Sequence, residues 1–147
     1  MTEMMRGNLP TYDEIIAIRD SILLPMMLSI CENKCRDIEF DQQPLRQLYL
    51  AANHALMNRI NGDLTRVKKL LRASKIKVVE DDKVADATIY YRYFCRGYND
   101  IFALTRDVVK AEISVRLGQY IGDLVQSVWE GEQGVAGHGA QGYHDPI

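Results

Sequence analysis

The sequence predicts an all-α protein: an antiparallel bundle of three long helices, the first kinked at Pro25, followed by a flexible glycine-rich C-terminal tail. Three observations predict it. A capping box opens an apolar series at Thr11, apolar residues keep three-and-four spacing over residues 45–71, and the same spacing runs over 83–129 without a proline. A length of 147 residues suits one domain, and 47% hydrophobic with 26% charged residues is the composition of a chain that folds. The expected organisation is an N-terminal arm over 1–10, a bundle over 11–130 and a tail over 131–147.

In the first helix, Thr11 and Glu14 have the spacing for reciprocal capping ahead of Ile15, Ile18, Ile22 and Met26. Pro25 lacks an amide and its ring pushes on the carbonyl of Ser21, which predicts a bend near residues 21–25 before the helix resumes and ends near Arg36 to Phe40. A polar turn at Asp41, Gln42 and Gln43 then leads to Pro44 at the first position of a second helix, with Gly62 its one weak point. Residues 75–79 are the only stretch with strand-like alternation. With no partner strand in view they read as a connector that presses Ile76 and Val78 onto the bundle. Glu80, Asp81 and Asp82 place negative charge at the start of the third helix, and Gly97 allows either a continuous helix or a short break. From Gly131 five glycines fall within residues 131–142, which predicts the tail.

The 18 basic and 20 acidic side chains give a net charge of -2, so the whole chain is not drawn to nucleic acid or anionic lipid, and such a partner needs a local patch. No stretch reads as a secretory signal or a membrane span. An odd set of three cysteines argues for reduced thiols, and a cytoplasmic setting is expected. Cys31, Cys35 and Cys95 with His54 form a zinc-type donor set, but they lack the close pairs on turns that structural zinc sites use. They read as apolar fillers, with no metal and no cofactor. Nucleotide-binding and hydrolase motifs are absent, and His54 has no sequence partner for nucleophilic catalysis, so no catalytic residue is expected.

Two surfaces stand out. The third helix carries Tyr90, Tyr93, Arg96 and Tyr98, then Tyr120, Leu124, Val128 and Trp129 toward its end, and this set is the expected protein interface. Gly118 and Gly122, one turn apart, add a small-residue strip beside it. The run Arg66, Lys68, Lys69, Arg72, Lys75 and Lys77 has no acid between Asp63 and Glu80, and with Arg92 and Arg96 it is the candidate nucleic-acid contact.

Lys69 to Arg72, Lys77 with Val78, Tyr93, Arg96 to Tyr98, Arg106 and Val115 to Leu117 carry a resemblance over residues 12–124. In these residues the chain resembles small helical, uncharacterised proteins of spore-forming Gram-positive bacteria and their phages. The resemblance implies a helical fold and a bacterial or phage setting and transfers no catalytic residue. The expected function is a non-enzymatic helical bundle acting through protein contacts, as a homo-oligomer or as an accessory subunit. A nucleic-acid-binding module is the alternative.

Overall fold

Thr11 opens the first helix as its sequence dictates: its hydroxyl accepts from the Glu14 amide at 3.2 Å, and the Glu14 carboxylate accepts from the Thr11 amide at 2.9 Å. The structure, a computed structural model, describes the backbone of residues 8–85 and 87–139 and the side chains of 8–81 and 87–131. Helix α1 (Tyr12–Phe40) is assigned without interruption through Pro25. One turn ahead of the proline, the Ser21 hydroxyl donates to the Ile18 carbonyl at 2.7 Å.

Between Ala17 and Met27, α1 buries Ile18, Ile22, Leu23, Leu24 and Met27, which together point in nearly every direction around the axis. A helix that is apolar all round must be covered on all sides, and α1 is the central element here. Helix α2 (Arg46–Ala73) packs along it through Leu56, Ile60, Leu64 and Leu71. It starts two residues after Pro44, which lies in the preceding turn. It ends where Lys75 adopts a φ of 58°, a left-handed conformation that turns the chain sharply out of the helix.

The next thirty residues overturn the all-α expectation. They form three antiparallel strands in the order β1-β2-β3: β1 (Ile76–Ala85), β2 (Thr88–Cys95) and β3 (Tyr98–Thr105). Ile76 pairs with Cys95 and Cys95 with Tyr98, while Val78 pairs with Tyr93 and Tyr91 with Phe102. Paired residues share a face, so Ile76, Val78, Ile89, Tyr91, Tyr93, Cys95, Tyr98, Phe102 and Leu104 all pack onto the helices. The opposite face carries Lys77, Val79, Tyr90, Arg92 and Phe94. The β1–β2 register slips between Asp81 and Ala85, the mark of a bulge.

The protein is therefore α+β, a helical layer with a three-stranded meander on it, and neither a helical bundle nor all-α. The difference has a physical source. Tyr90, Tyr91, Phe94, Tyr98, Ile101 and Phe102 fit helical spacing, but the aromatic and β-branched residues of 88–95 favour a pleated surface. The segment 75–79, which the sequence leaves without a partner, finds it in β2, whose residues were expected in the third helix.

Helix α3 (Arg106–Gly139) begins after the sheet, not at residue 83. The Thr105 hydroxyl accepts from the Val108 amide at 3.2 Å as its cap, and the Arg106 amide donates to the Ala87 carbonyl at 2.7 Å, which ties the helix start to the β1–β2 turn. Val109, Ile113, Leu117, Tyr120 and Leu124 bring α3 onto the core. Its backbone stays helical past Gly131 to Gly139, so the first half of the expected tail is helix; residues 140–147 and 1–7 lie outside the described residues. No helix of the described residues is long and apolar enough to cross a membrane.

Candidate functional site

Arg96 and Gly97 are the two turn residues between β2 and β3, with φ of 49° and 91°. Two positive φ values are what a two-residue hairpin turn with the twist of its strands requires, and this explains the glycine at the second position. Arg96 is a costlier occupant, and its side chain shows what holds it. Both guanidinium nitrogens donate to the Glu14 carboxylate at 3.0 Å, and they also donate to the Ser74 carbonyl at 2.8 Å and the Leu9 carbonyl at 2.9 Å. The Arg96 hydrogen bond is the main reason that Glu14 titrates at about 2 instead of 4.5; burial opposes the shift. An arginine expected at a partner interface is a clamp within the chain.

The other aromatic candidates separate by face. Tyr93 is 6% exposed and lies in the core, with its ring centroid 6.3 Å from that of Tyr98. Tyr98 donates to Asp100 at 3.1 Å, and Tyr90 sits on the outer sheet face. Tyr120 is partly buried and donates to Asp63, and burial with that hydrogen bond raises its pKa. Beside it Arg116 bridges Asp20 and Glu112.

The basic run also divides. Arg66, 75% exposed, pairs with Asp63, Arg92 lies 3.9 Å from Asp81, and Arg96 is held by Glu14. Lys68, Lys69, Arg72, Lys75 and Lys77 line the surface at the end of α2 and the start of β1.

Cys31 and Cys35 are buried one turn apart on α1, where Asn53 of α2 donates to the Cys31 carbonyl and the Cys35 sulfur at 2.8 Å each. Cys95 is buried at the end of β2, and burial raises the thiol pKa of both Cys31 and Cys95. His54 is exposed on α2. Among the described residues no group of three or more His, Cys, Asp or Glu is arranged to hold a metal ion.

An open groove of about 490 Å³ lies where α3 diverges from the α1–α2 pair. Ile38 and Leu56 form part of its floor, with Tyr49, Ile121, Leu124 and Val125 around it. Leu124 is the last α3 residue in the core among those described. Beyond it Val125, Val128 and Trp129 are 61%, 63% and 55% exposed. The α1–α2 turn adds Phe40, Leu45 and Leu48, all exposed. Of this apolar end, Leu124, Val128 and Trp129 are expected from the sequence, whereas Phe40, Leu45, Leu48 and Val125 are not. The signal for the turn residues is nonetheless present, since three large apolar residues flank a polar Asp-Gln-Gln-Pro segment. A Cβ at Gly118 or Gly122 would meet no heavy atom within 4 Å, so among the described residues nothing packs on the small-residue strip.

Comparison with known proteins gives a match to one family model, described as YhjD protein, over residues 9–125. No curated protein and no solved structure matches.

Proposed function

The chain belongs to the YhjD family, and we propose that it is a non-enzymatic protein-contact module that docks through the apolar end of its helical layer. The observation that carries this reading is the set of exposed apolar side chains Phe40, Leu45, Leu48, Val125, Val128 and Trp129, which belong to the same three elements, the α1–α2 turn and its flanks and the end of α3, that line the open groove. Large apolar patches on a folded surface mark interaction sites, because water contact with each such side chain is costly and a partner removes it. The resemblance to proteins of spore-forming bacteria and phages, together with three reduced thiols, supports a bacterial cytoplasmic setting. The partner is a second copy or another subunit of one assembly. The nucleic-acid alternative is less well supported, since Arg92 and Arg96 are engaged by Asp81 and Glu14.

Light scattering after size exclusion tests the proposal. The wild type should elute as an oligomer, and Val125→Glu with Val128→Glu should lower its mass while circular dichroism stays unchanged. A wild-type monomer at high micromolar concentration, whose amides at 121–129 exchange equally with and without a lysate fraction, would remove the reading.

A further inference from the structure

The two edges of the meander, β1 and β3, are finished differently. Cys95 and Tyr98 flank the two-residue turn and therefore exchange both of their hydrogen bonds. The alternation that follows points the backbone groups of Asn99, Ile101 and Ala103 outward from β3, and those of Ile76, Val78 and Glu80 outward from β1. The Arg96 amide, which donates to the Lys75 carbonyl at 3.4 Å, has the phase this requires. On β3 the outward amide of Ile101 is taken by the Asp100 carboxylate at 2.7 Å, which blunts that edge. On β1, among the described residues, no hydrogen bond reaches the outward groups of Val78 or Glu80.

We infer that β1 pairs edge to edge with β1 of a second copy of this chain, antiparallel and centred on Val79, so that two meanders join into one continuous sheet. Charge selects both the occupant and the register. Centred on Val79, the pairing sets Lys77 of each copy opposite Asp81 of the other and Val79 opposite Val79, all on the outer face. Centring on Lys77, Glu80 or Asp81 sets like charges directly opposite, and centring on Val78 sets Lys77 against Val79. In the favoured register Val78 and Glu80 face each other across the axis, and these are the residues whose amides and carbonyls point outward. Glu80 of the second copy then enters beside Val78, where a concavity of about 370 Å³ between α2 and β1, lined by Lys68 and Arg72, leaves room on the helical side. The bulge between Asp81 and Ala85 ends the regular edge just past the paired stretch.

Disulfide cross-linking of the full chain under mild oxidation tests the register. Val79→Cys places two thiols across the axis, where opposed residues of a non-hydrogen-bonded pair have Cα atoms about 4.5 Å apart, within the reach of a disulfide. Lys77→Cys places them four residues out of register, about 13 Å apart along the strand. Cys31, Cys35 and Cys95 are buried and do not compete. Val79→Cys should form cross-linked dimer at least tenfold faster than Lys77→Cys, by roughly the ratio that such a difference in reach implies. Two further changes in the Val79→Cys chain should each slow it about tenfold with circular dichroism unchanged: Lys77→Glu, which sets an acid opposite Asp81, and Glu80→Pro, which removes an outward amide and none that bonds β2. Three results would overturn the inference: no cross-linked dimer from Val79→Cys, equal rates for the two cysteine variants, or a rate indifferent to Lys77→Glu and Glu80→Pro. Failure here leaves the apolar docking end untouched, since the two surfaces share no residue.

Discussion

Arg96 and Glu14, 82 positions apart, are joined by two hydrogen bonds of 3.0 Å between one guanidinium and one carboxylate. Glu14 is at the same time the capping-box residue of α1, so the carboxylate that starts the first helix also anchors the β2–β3 turn. The Ser74 carbonyl at the end of α2 accepts from the same arginine. One side chain thus ties together the start of α1, the end of α2 and the tip of the hairpin. This anchorage is what permits a non-glycine residue at a φ of 49°.

Substitutions at Arg96 should separate side chain from backbone. Arg96→Ala loses the clamp and keeps the unfavourable φ, and it should destabilise by about 2 to 4 kcal/mol, as expected when a carboxylate with little solvent access loses its partner. Arg96→Gly loses the same contacts but relieves the φ, and it should be about 1 kcal/mol more stable than Arg96→Ala. Urea unfolding measures both, and equal stabilities would contradict the role given to the turn.

Acid should reveal the Glu14 contribution. Its folded pKa of about 2 lies below the ordinary 4.5, so the stability it confers is present above pH 4.5 and is lost as pH falls through about 2. The shift corresponds to about 3 kcal/mol. Glu14→Gln should flatten the stability profile between pH 4.5 and 2, and an unchanged slope in that window would show that other carboxylates dominate.

Pro25 removes an amide in mid-helix that would otherwise donate to the Ser21 carbonyl, and the residue is exposed, so little packing depends on its ring. Pro25→Ala should stabilise the protein by about 1 to 3 kcal/mol. A lower melting temperature would mean that the core around Leu23, Leu24 and Met27 depends on the proline geometry.

Gly118→Ala and Gly122→Ala each meet open space and should add about 0.5 to 1 kcal/mol of helix stability to the isolated chain. If oligomer mass falls while the helix gains stability, another helix approaches at that strip. Unchanged mass places the interface elsewhere on the apolar end.

Cys31, Cys35 and Cys95 are all buried, and burial disfavours the reactive thiolate of Cys31 and Cys95. A thiol-disulfide reagent should modify the native protein slowly and release all three thiols at once in denaturant. Rapid reaction of Cys95 in native buffer would show that the sheet opens readily from the helices.

The sequence by itself determined the elements whose bonds are local. The capping box at Thr11 and Glu14, the extent of α1 to Phe40 and the body of α2 up to Leu71 follow from neighbours three and four residues apart, which is the range of a helical hydrogen bond. Residues 76–105 were decided by tertiary structure. Ile76 is satisfied by Cys95 and Cys95 by Tyr98, and such bonds leave no trace within a window of one strand. The period-two series Ile89, Tyr91, Tyr93 and Cys95 was present, but Tyr90 and Phe94 on the other face filled the gaps and made it resemble a helix. The same holds for the candidate surfaces. Which arginines carry free charge depends on partners such as Glu14, far away in sequence, while the exposure of Val128 and Trp129 depends on where α3 leaves the α1–α2 pair. A strand's partner and a side chain's neighbour across the core are set only when distant segments meet, and that meeting is the tertiary structure.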